Sequence, residues 1–412
     1  MAAKVCEMSD PVSEPARRHP GTVGEVFWVF LQLGVTSFGG PVAHLGYFRE
    51  AFVRRRGWLA DRAFADLVAL CQFLPGPASS QVGMAIGLQR AGFGGLLAAW
   101  TAFTLPSAAL LVGFAYGVTA LGSGASAGAL QGLKAAAVAV VAHAVLSMAK
   151  TLTPDAKRAT IAVAAMIGVL LVPSALAQVV AIALAGVAGM LWLTPAATAE
   201  SDAGSFAVRV PRWLAVGSLV VFATLLVGLP VLAAALDDPA VGLFDIFYRA
   251  GALVFGGGHV VLPLLQAETV ATGLVGHDVF LAGYGAAQAM PGPLFSFAAF
   301  LGAVTTTPPS GLLGAAIALI AIFLPATLLV VGALPFWERL RHAPLAQRAL
   351  MGVNAGVVGI LAAALYDPVF TQGITSTLAL AIAVAAFVAL NSWKAPAWAV
   401  VIAAGLLGWA VL

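Results

Sequence analysis

Charge is what this sequence has least of. Of its 412 residues only 9% are Asp, Glu, Lys or Arg, against roughly 25% in soluble domains. With 61% hydrophobic residues and a mean hydropathy of +1.00, too little polar surface is left to coat a water-soluble globule, and lipid has to be the solvent for most of the chain. Cysteine is scarce as well. Cys6 and Cys71 are the two present, far apart and outside any metal or redox spacing; Cys71 lies in an apolar run as a packing residue. No Gly-x4-Gly-Lys-Ser/Thr loop occurs, no His-Glu-x2-His, and no His/Cys/Asp cluster with metal-ligand spacing, so ATP hydrolysis and metal-assisted catalysis have no foothold and no cofactor or metal is expected. The net charge is only +3 and no basic stripe is interleaved with aromatics, which removes nucleic acid as a partner. The first 20 residues are polar, with Pro11, Pro15 and Pro20. They lack the apolar stretch of a cleavable signal, and membrane targeting falls to internal segments.

What is abundant is apolar length. A spanning helix needs about 20 mostly apolar residues. On that measure about 13 apolar segments appear, near 24–44, 63–90, 93–119, 126–149, 158–172, 174–194, 213–236, 242–262, 280–306, 309–335, 345–366, 373–390 and 396–411. The expected fold is an all-α polytopic membrane protein. Its parts are a polar tail (1–22), a first repeat (23–194), a linker with a linking transmembrane helix (195–240) and a second repeat (241–412).

The repeat is read from motifs. Phe30-x3-Gly34-x3-Phe38-Gly39-Gly40 returns as Phe247-x3-Gly251-x3-Phe255-Gly256-Gly257, and Gln72-x2-Pro75-Gly76-Pro77 returns as Gln288-x2-Pro291-Gly292-Pro293. Leu105-Pro106 followed by Gly113 returns as Leu324-Pro325 followed by Gly332. Such internal repeats are characteristic of transporters. Lys and Arg concentrate in the N-terminal tail, 45–62, 150–158, 196–212, 336–348 and Lys394, whereas 120–125, 237–241, 263–279 and 367–372 are poor in them. Retention of positive charge in the cytoplasm then predicts a cytoplasmic N-terminus and halves of inverted topology. It also favours re-entrant first elements, because loop 45–62 is basic and its counterpart 263–279 is acidic.

The chemistry is expected at the interruptions. Proline removes a backbone donor and glycine adds freedom, so Pro75-Gly76-Pro77 and Pro291-Gly292-Pro293 should break their helices and open new ones. The new N-termini would offer amides to an anion, with Ser79, Ser80 and Ser296 adding hydroxyls. Broken backbone at membrane depth is tolerated only where protein or a wet cavity covers it. Gly39-Gly40 and Gly256-Gly257 can form an amide nest, or serve close helix packing. Lys134 is the one lysine well inside a long apolar run, and its counterpart is Asn354. Two readings stay open for it: a ligand for the substrate's charge, or a snorkelling side chain. His44, Asp66, Gln72, His259 and Gln288 are auxiliary polar groups near the breaks, some able to carry protons.

These motifs, together with Trp58 and Leu105-Pro106-Ser107, resemble the chromate ion transporter family in its long-chain, two-domain form, over roughly 24–390. The second copy departs from the pattern, with Gly258 where Pro41 stands in the first and Leu274 in place of Trp58. The resemblance implies a bacterial inner-membrane secondary transporter that exports chromate, confers chromate resistance, and uses the glycines and the Pro-Gly-Pro segments for transport. A tetrahedral oxyanion, all of whose oxygens accept hydrogen bonds, suits a site made of donors. The alternatives are a transporter or exchanger of sulfate or another oxyanion, and a membrane-embedded enzyme acting on lipid phosphates; the transporter reading makes the chain a non-enzyme. The physiological oxyanion, the coupling ion and the oligomeric state, a homodimer included, stay open.

Overall fold

The computed structural model describes residues 20–125, 127–172, 174–194, 206, 208, 210–255, 260–337, 340 and 343–412. Among the described residues the chain is helical, with no strand, as the composition requires. Among the described residues five helices are long and apolar enough to cross a bilayer: Ala78–Gly117, Gly128–Leu152, Arg212–Leu236, Gly311–Phe336 and Pro344–Gly373. Shorter apolar helices such as Val23–Thr36, Leu176–Trp192 and Ala397–Val411 accompany them.

The first half runs α1 (Val23–Thr36), α2 (Gly40–Phe48) with a wide-turn extension Arg49–Arg55, α3 (Asp61–Phe73), α4 (Ala78–Ala125), α5 (Ala127–Leu152), α6 (Ala156–Leu171) and α7 (Ala175–Trp192). The linking helix α8 (Arg212–Leu236) follows. The second half repeats the order: α9 (Pro239–Leu253), α10 (Val261–Thr269), α11 (His277–Ala289), a short 3-10 turn Leu294–Ser296 with α12 (Phe297–Ala303), α13 (Gly311–Ala333), α14 (Pro344–Ala364), α15 (Thr377–Asn391) and α16 (Ala397–Val411).

Local chemistry sets the boundaries. Thr22 caps α1 by accepting from the Glu25 amide, Asp155 caps α6 and Ser174 caps α7. Asp238 caps α9, where Pro239 fills the first helical position. The apolar run 63–90 is not one helix: α3 stops at Phe73, and Pro75-Gly76-Pro77 separates it from α4. Although α4 is helical from Ala78 to Ala125, it folds back sharply where Gly92 takes φ +65°. The fold brings the backbones of Gly87 and Gly95 into contact, and Gly302 of α12 meets Gly314 of α13 in the corresponding place. Between residues 61 and 125 the chain is therefore broken at Pro75-Gly76-Pro77 and folded at Gly92. The stretch beyond Gly92 is the part that runs on as a membrane-length helix.

The halves trade packing partners. Within each, the glycine-bearing first helix lies on the proline-bearing long one, α1 on α4 and α9 on α13. Between them, α5 of the first half packs on α15 and α16 of the second, while α14 packs on α6 and α7. Gly132 of α5 abuts the Ala404 carbonyl of α16, and Gly352 of α14 abuts the Ala185 carbonyl of α7. In lipid, where apolar exposure is not penalised, such close backbone contact is what holds helices together. The linking helix α8 turns most of its apolar surface outward, with Trp213, Val227 and Val231 exposed, as a helix facing lipid would.

Candidate functional site at the helix breaks

Each break is fastened to the opposite half. Gly76 adopts φ +115° and Gly292 φ +96°, conformations open to glycine and costly for other residues. So turned, the Gly76 amide donates to the carbonyl of Val254 at 2.7 Å and the Gly292 amide to the carbonyl of Ser37 at 2.9 Å. Val254 ends α9 and Ser37 ends α1, so the two bonds are equivalent under the repeat. The surroundings correspond too. Gly76 lies against Ala326, next to Pro325 in α13, and Gly292 lies against Phe103 and Ser107, flanking Pro106 in α4.

Polar groups gather at the first-half side of this crossing. Ser37, His44, Ser79, Ser80, Gln81, Thr104 and Ser107 are all buried. His44 Nδ1 is 3.3 Å from Ser79 Oγ, and its ring meets Phe103 edge-on at 5.3 Å. Through Phe103 this pair is joined to Gly292, so the two breaks share one neighbourhood. Gln81 donates to the Pro75 carbonyl at 2.8 Å, bracing the first break. Ser107 donates to the Thr104 carbonyl at 2.9 Å. Several atoms here have no protein partner: Ser37 Oγ, His44 Nε2, Ser80 Oγ, Gln81 Oε1 and Thr104 Oγ1. A polar atom sealed from water without a partner costs about 1–3 kcal/mol. Their concentration at a helix break leaves donors and acceptors there for water or an ion to meet. The start of α4 contributes the amides of Ala78, Ser79 and Ser80, which precede any intrahelical acceptor.

The second half is less polar at the equivalent positions. Phe295 and Phe297 stand where the first half has Ser79 and Gln81, and Val261 corresponds to His44. Ser296 spends its hydroxyl on the Pro293 carbonyl at 2.7 Å, and the chain leaves the break in a 3-10 turn rather than an α-helix. Gln288, three residues before Pro291 on α11, keeps a buried Nε2 without a partner.

Gly39 and Gly40 take φ +98° and +77° at the start of α2, where the neighbouring Phe38 packs on Trp398 of α16 at 5.9 Å. Gly256, Gly257 and His259 lie outside the described residues. Lys134 is buried on α5, where its Nζ is 2.8 Å from Asp278 Oδ1 at the start of α11; it meets a carboxylate of the other half there, not the breaks. Asn354 sits on α14, its Oδ1 buried and unpaired, beside the Gly352 contact with α7. Asp66 accepts from Trp337 Nε1 at 2.9 Å and from the Phe206 amide at 3.4 Å, tying α3 to the linker and to the turn that follows α13. Gln72 is exposed. Arg90, at the fold in α4, pairs with Glu25 at 3.1 Å and lies 4.7 Å over Trp58. Sequence reasoning missed Ser37, Gln81, Thr104 and Val254. Their signal was adjacency: each stands within a few residues of a quoted glycine or proline motif.

The chain matches known proteins along most of its length. The chromate transporter family model matches twice, over residues 24–190 and 241–409, the two halves seen above. The chain is 29% identical over 411 residues to a chromate transport protein of Pseudomonas aeruginosa, covering 95% of this chain and 93% of that one. It is 28% identical over 352 residues to a chromate transport protein of Cupriavidus metallidurans, covering 83% and 82%. No solved structure matches it. A doubled family match, joined to paired helix breaks that anchor each other across the halves, makes this multi-pass membrane protein a member of the chromate transporter family.

Proposed function

We propose that the protein is a secondary transporter that exports chromate across the inner membrane and thereby confers chromate resistance. The observation that carries this reading is the set of buried, partnerless polar atoms on Ser37, His44, Ser80, Gln81 and Thr104, set around two helix breaks that are bonded across the halves. A tetrahedral dianion accepts through all four oxygens. Hydroxyls, the His44 ring and the first amides of α4 are donors suited to it, and the Gln81 oxygen is left for a water or a protonated oxyanion. The relatives named as chromate transport proteins support the choice of substrate.

In this reading the halves are inverted, the basic connections and the N-terminus face the cytoplasm, and rocking of one half on the other opens the breaks to each side in turn. Export needs no ATP: a dianion leaving a compartment negative by 100 mV gains about 4.6 kcal/mol, twice the roughly 2.3 kcal/mol of a single charge. Sulfate offers the same oxygens to the same donors and stands as the alternative substrate. The test is chromate sensitivity and efflux in a host lacking its own transporter, with sulfate as competitor. Restored resistance and chromate efflux are expected; sulfate movement with no chromate movement would shift the assignment to sulfate.

A further inference from the structure

A second polar space lies apart from the helix breaks. A cavity of about 270 Å³ sits where α6 gives way to α7, α10 approaches α11 and α14 ends, and its polar lining is Ser174, Gln178, Gln266, His277, Asp367 and Gln372. Among the described residues no lysine or arginine lines it, so its formal charge is that of the Asp367 carboxylate.

Two of these groups are incomplete. Gln178 is 6% exposed. Its Nε2 donates to the Pro263 carbonyl at 3.3 Å, which fixes the amide's orientation and leaves Oε1 buried without a partner. His277 Nε2 is likewise buried and partnerless. At Asp367 the backbone leaves helical geometry, with φ −125° and ψ 117°. Its Oδ1 accepts from the Thr371 hydroxyl at 2.9 Å, and its second oxygen remains. Lys134 and Asp278, paired with each other, are the charges that act on His277 from α5 and α11.

Oxygen acceptors with one carboxylate are the surroundings of a hard cation. A single negative charge matches a monovalent ion. Divalent or transition metals want more ligating side chains, and among the described residues no group of three His, Cys, Asp or Glu could hold one. At about 30 Å³ for each water, the space also accommodates part of a hydration shell. Broken helix ends that coordinate a small cation are a known device of secondary transporters.

We propose that this cavity binds a monovalent alkali cation, with Asp367 supplying the counter-charge and Gln178 an amide oxygen. Its lining comes from α6 and α7 of one half and from α10, α11 and α14 of the other, so an ion seated there bridges the halves. Given the transport reading above, that bridge is a means of coupling cation to oxyanion movement; the site itself is tested without it.

The experiment is thermal unfolding of the full-length purified protein in detergent, with no oxyanion present. Choline chloride, NaCl and KCl are compared at equal ionic strength and pH, for wild type, Asp367→Asn and Gln178→Met. A saturable rise in Tm with Na⁺ or K⁺ over choline is expected for wild type, and its loss in both variants, which should melt near wild type in choline. Gln178→Met keeps the side-chain volume and decides the matter should Asp367→Asn fail to fold. Equal wild-type Tm in all three salts overturns the proposal. So does an undiminished shift in Gln178→Met, or a stability that follows pH and ignores both cations. Because no oxyanion is present, failure here and failure of chromate transport are separate results.

Discussion

Gly76 and Val254 are 178 residues apart in the chain, yet the amide of one donates to the carbonyl of the other at 2.7 Å. The counterpart bond from Gly292 to Ser37 measures 2.9 Å. Each half thus supplies a broken helix and a receiver for its partner's break. The bond needs an amide turned out of the helix, which the flanking prolines and a left-handed glycine provide. In the transport cycle proposed above, rocking of the halves would have to move these two contacts together, and a substrate between the breaks would feel that motion.

Alanine at either glycine should be costly. At φ +115° and +96° a Cβ is strained by about 1–2 kcal/mol. At position 292 it would also stand 2.9 Å from Ser107 Oγ and 3.1 Å from the Phe103 carbonyl. Gly292→Ala should therefore lower Tm in detergent more than Gly76→Ala, where the nearest atoms are the Ala326 methyl and the movable Gln81 side chain, both at 3.1 Å. Both variants should lose chromate transport.

The His44–Ser79 contact of 3.3 Å gives a second expectation. His44→Ala or Ser79→Ala removes a donor while leaving the fold's main-chain anchors intact. Loss of a hydrogen bond to a charged ligand is worth about 1.5–3 kcal/mol, so the apparent affinity for chromate should weaken by roughly 10- to 150-fold. Transport kinetics at normal expression check this; an unchanged KM would remove the pair from the site.

The Lys134–Asp278 pair joins a side chain 7% exposed to one 73% exposed. Breaking a fully buried pair costs about 3–5 kcal/mol, but the open carboxylate brings this one down towards 1 kcal/mol. Asp278→Asn should destabilise by about 1 kcal/mol, leaving the buried ammonium without its partner. Adding Lys134→Met should recover most of the loss. Thermal melting of the two single variants and the double variant measures the coupling.

A pH dependence is expected at the start of α6. Asp155 accepts from the Arg158 amide at 3.0 Å and from its guanidinium at 2.6 Å. The backbone bond first, and then the side-chain bond, hold the carboxyl below its usual value. A depressed folded-state pKa means the cap's contribution is fully present above the ordinary aspartate value of about 3.9 and is lost as pH falls through the folded value. Asp155→Ala should cost about 1 kcal/mol at neutral pH, and the gap to wild type should close on acidification.

The breaks were legible in the sequence because their cause is local. Proline and glycine interrupt a helix whatever surrounds them, and finding the pattern twice revealed the halves. The division near residue 91 was legible for the same reason, since an apolar run there meets Arg90 and Gly92. Partners from elsewhere in the chain were not. Lys134 and Asn354 correspond by repeat position, but the Lys134 salt bridge is with Asp278, 144 residues on in the first turn of α11. Asp66, close to the first break in sequence, points to Trp337 and the linker. The imbalance between a hydroxyl-lined first break and a phenylalanine-lined second one is written in Ser79 and Phe295. Its meaning appears only once both are seen at one crossing.

Export through the paired breaks is tested by chromate uptake into everted membrane vesicles under an imposed potential, comparing wild type with the Gly76→Ala/Gly292→Ala pair. Uptake by wild type should rise as the vesicle interior is made positive, driven by about 4.6 kcal/mol per dianion at 100 mV, with none above background for the double variant. Folded wild-type protein that moves no chromate at any potential, or a folded double variant that moves it as well as wild type, would rule out export through the breaks.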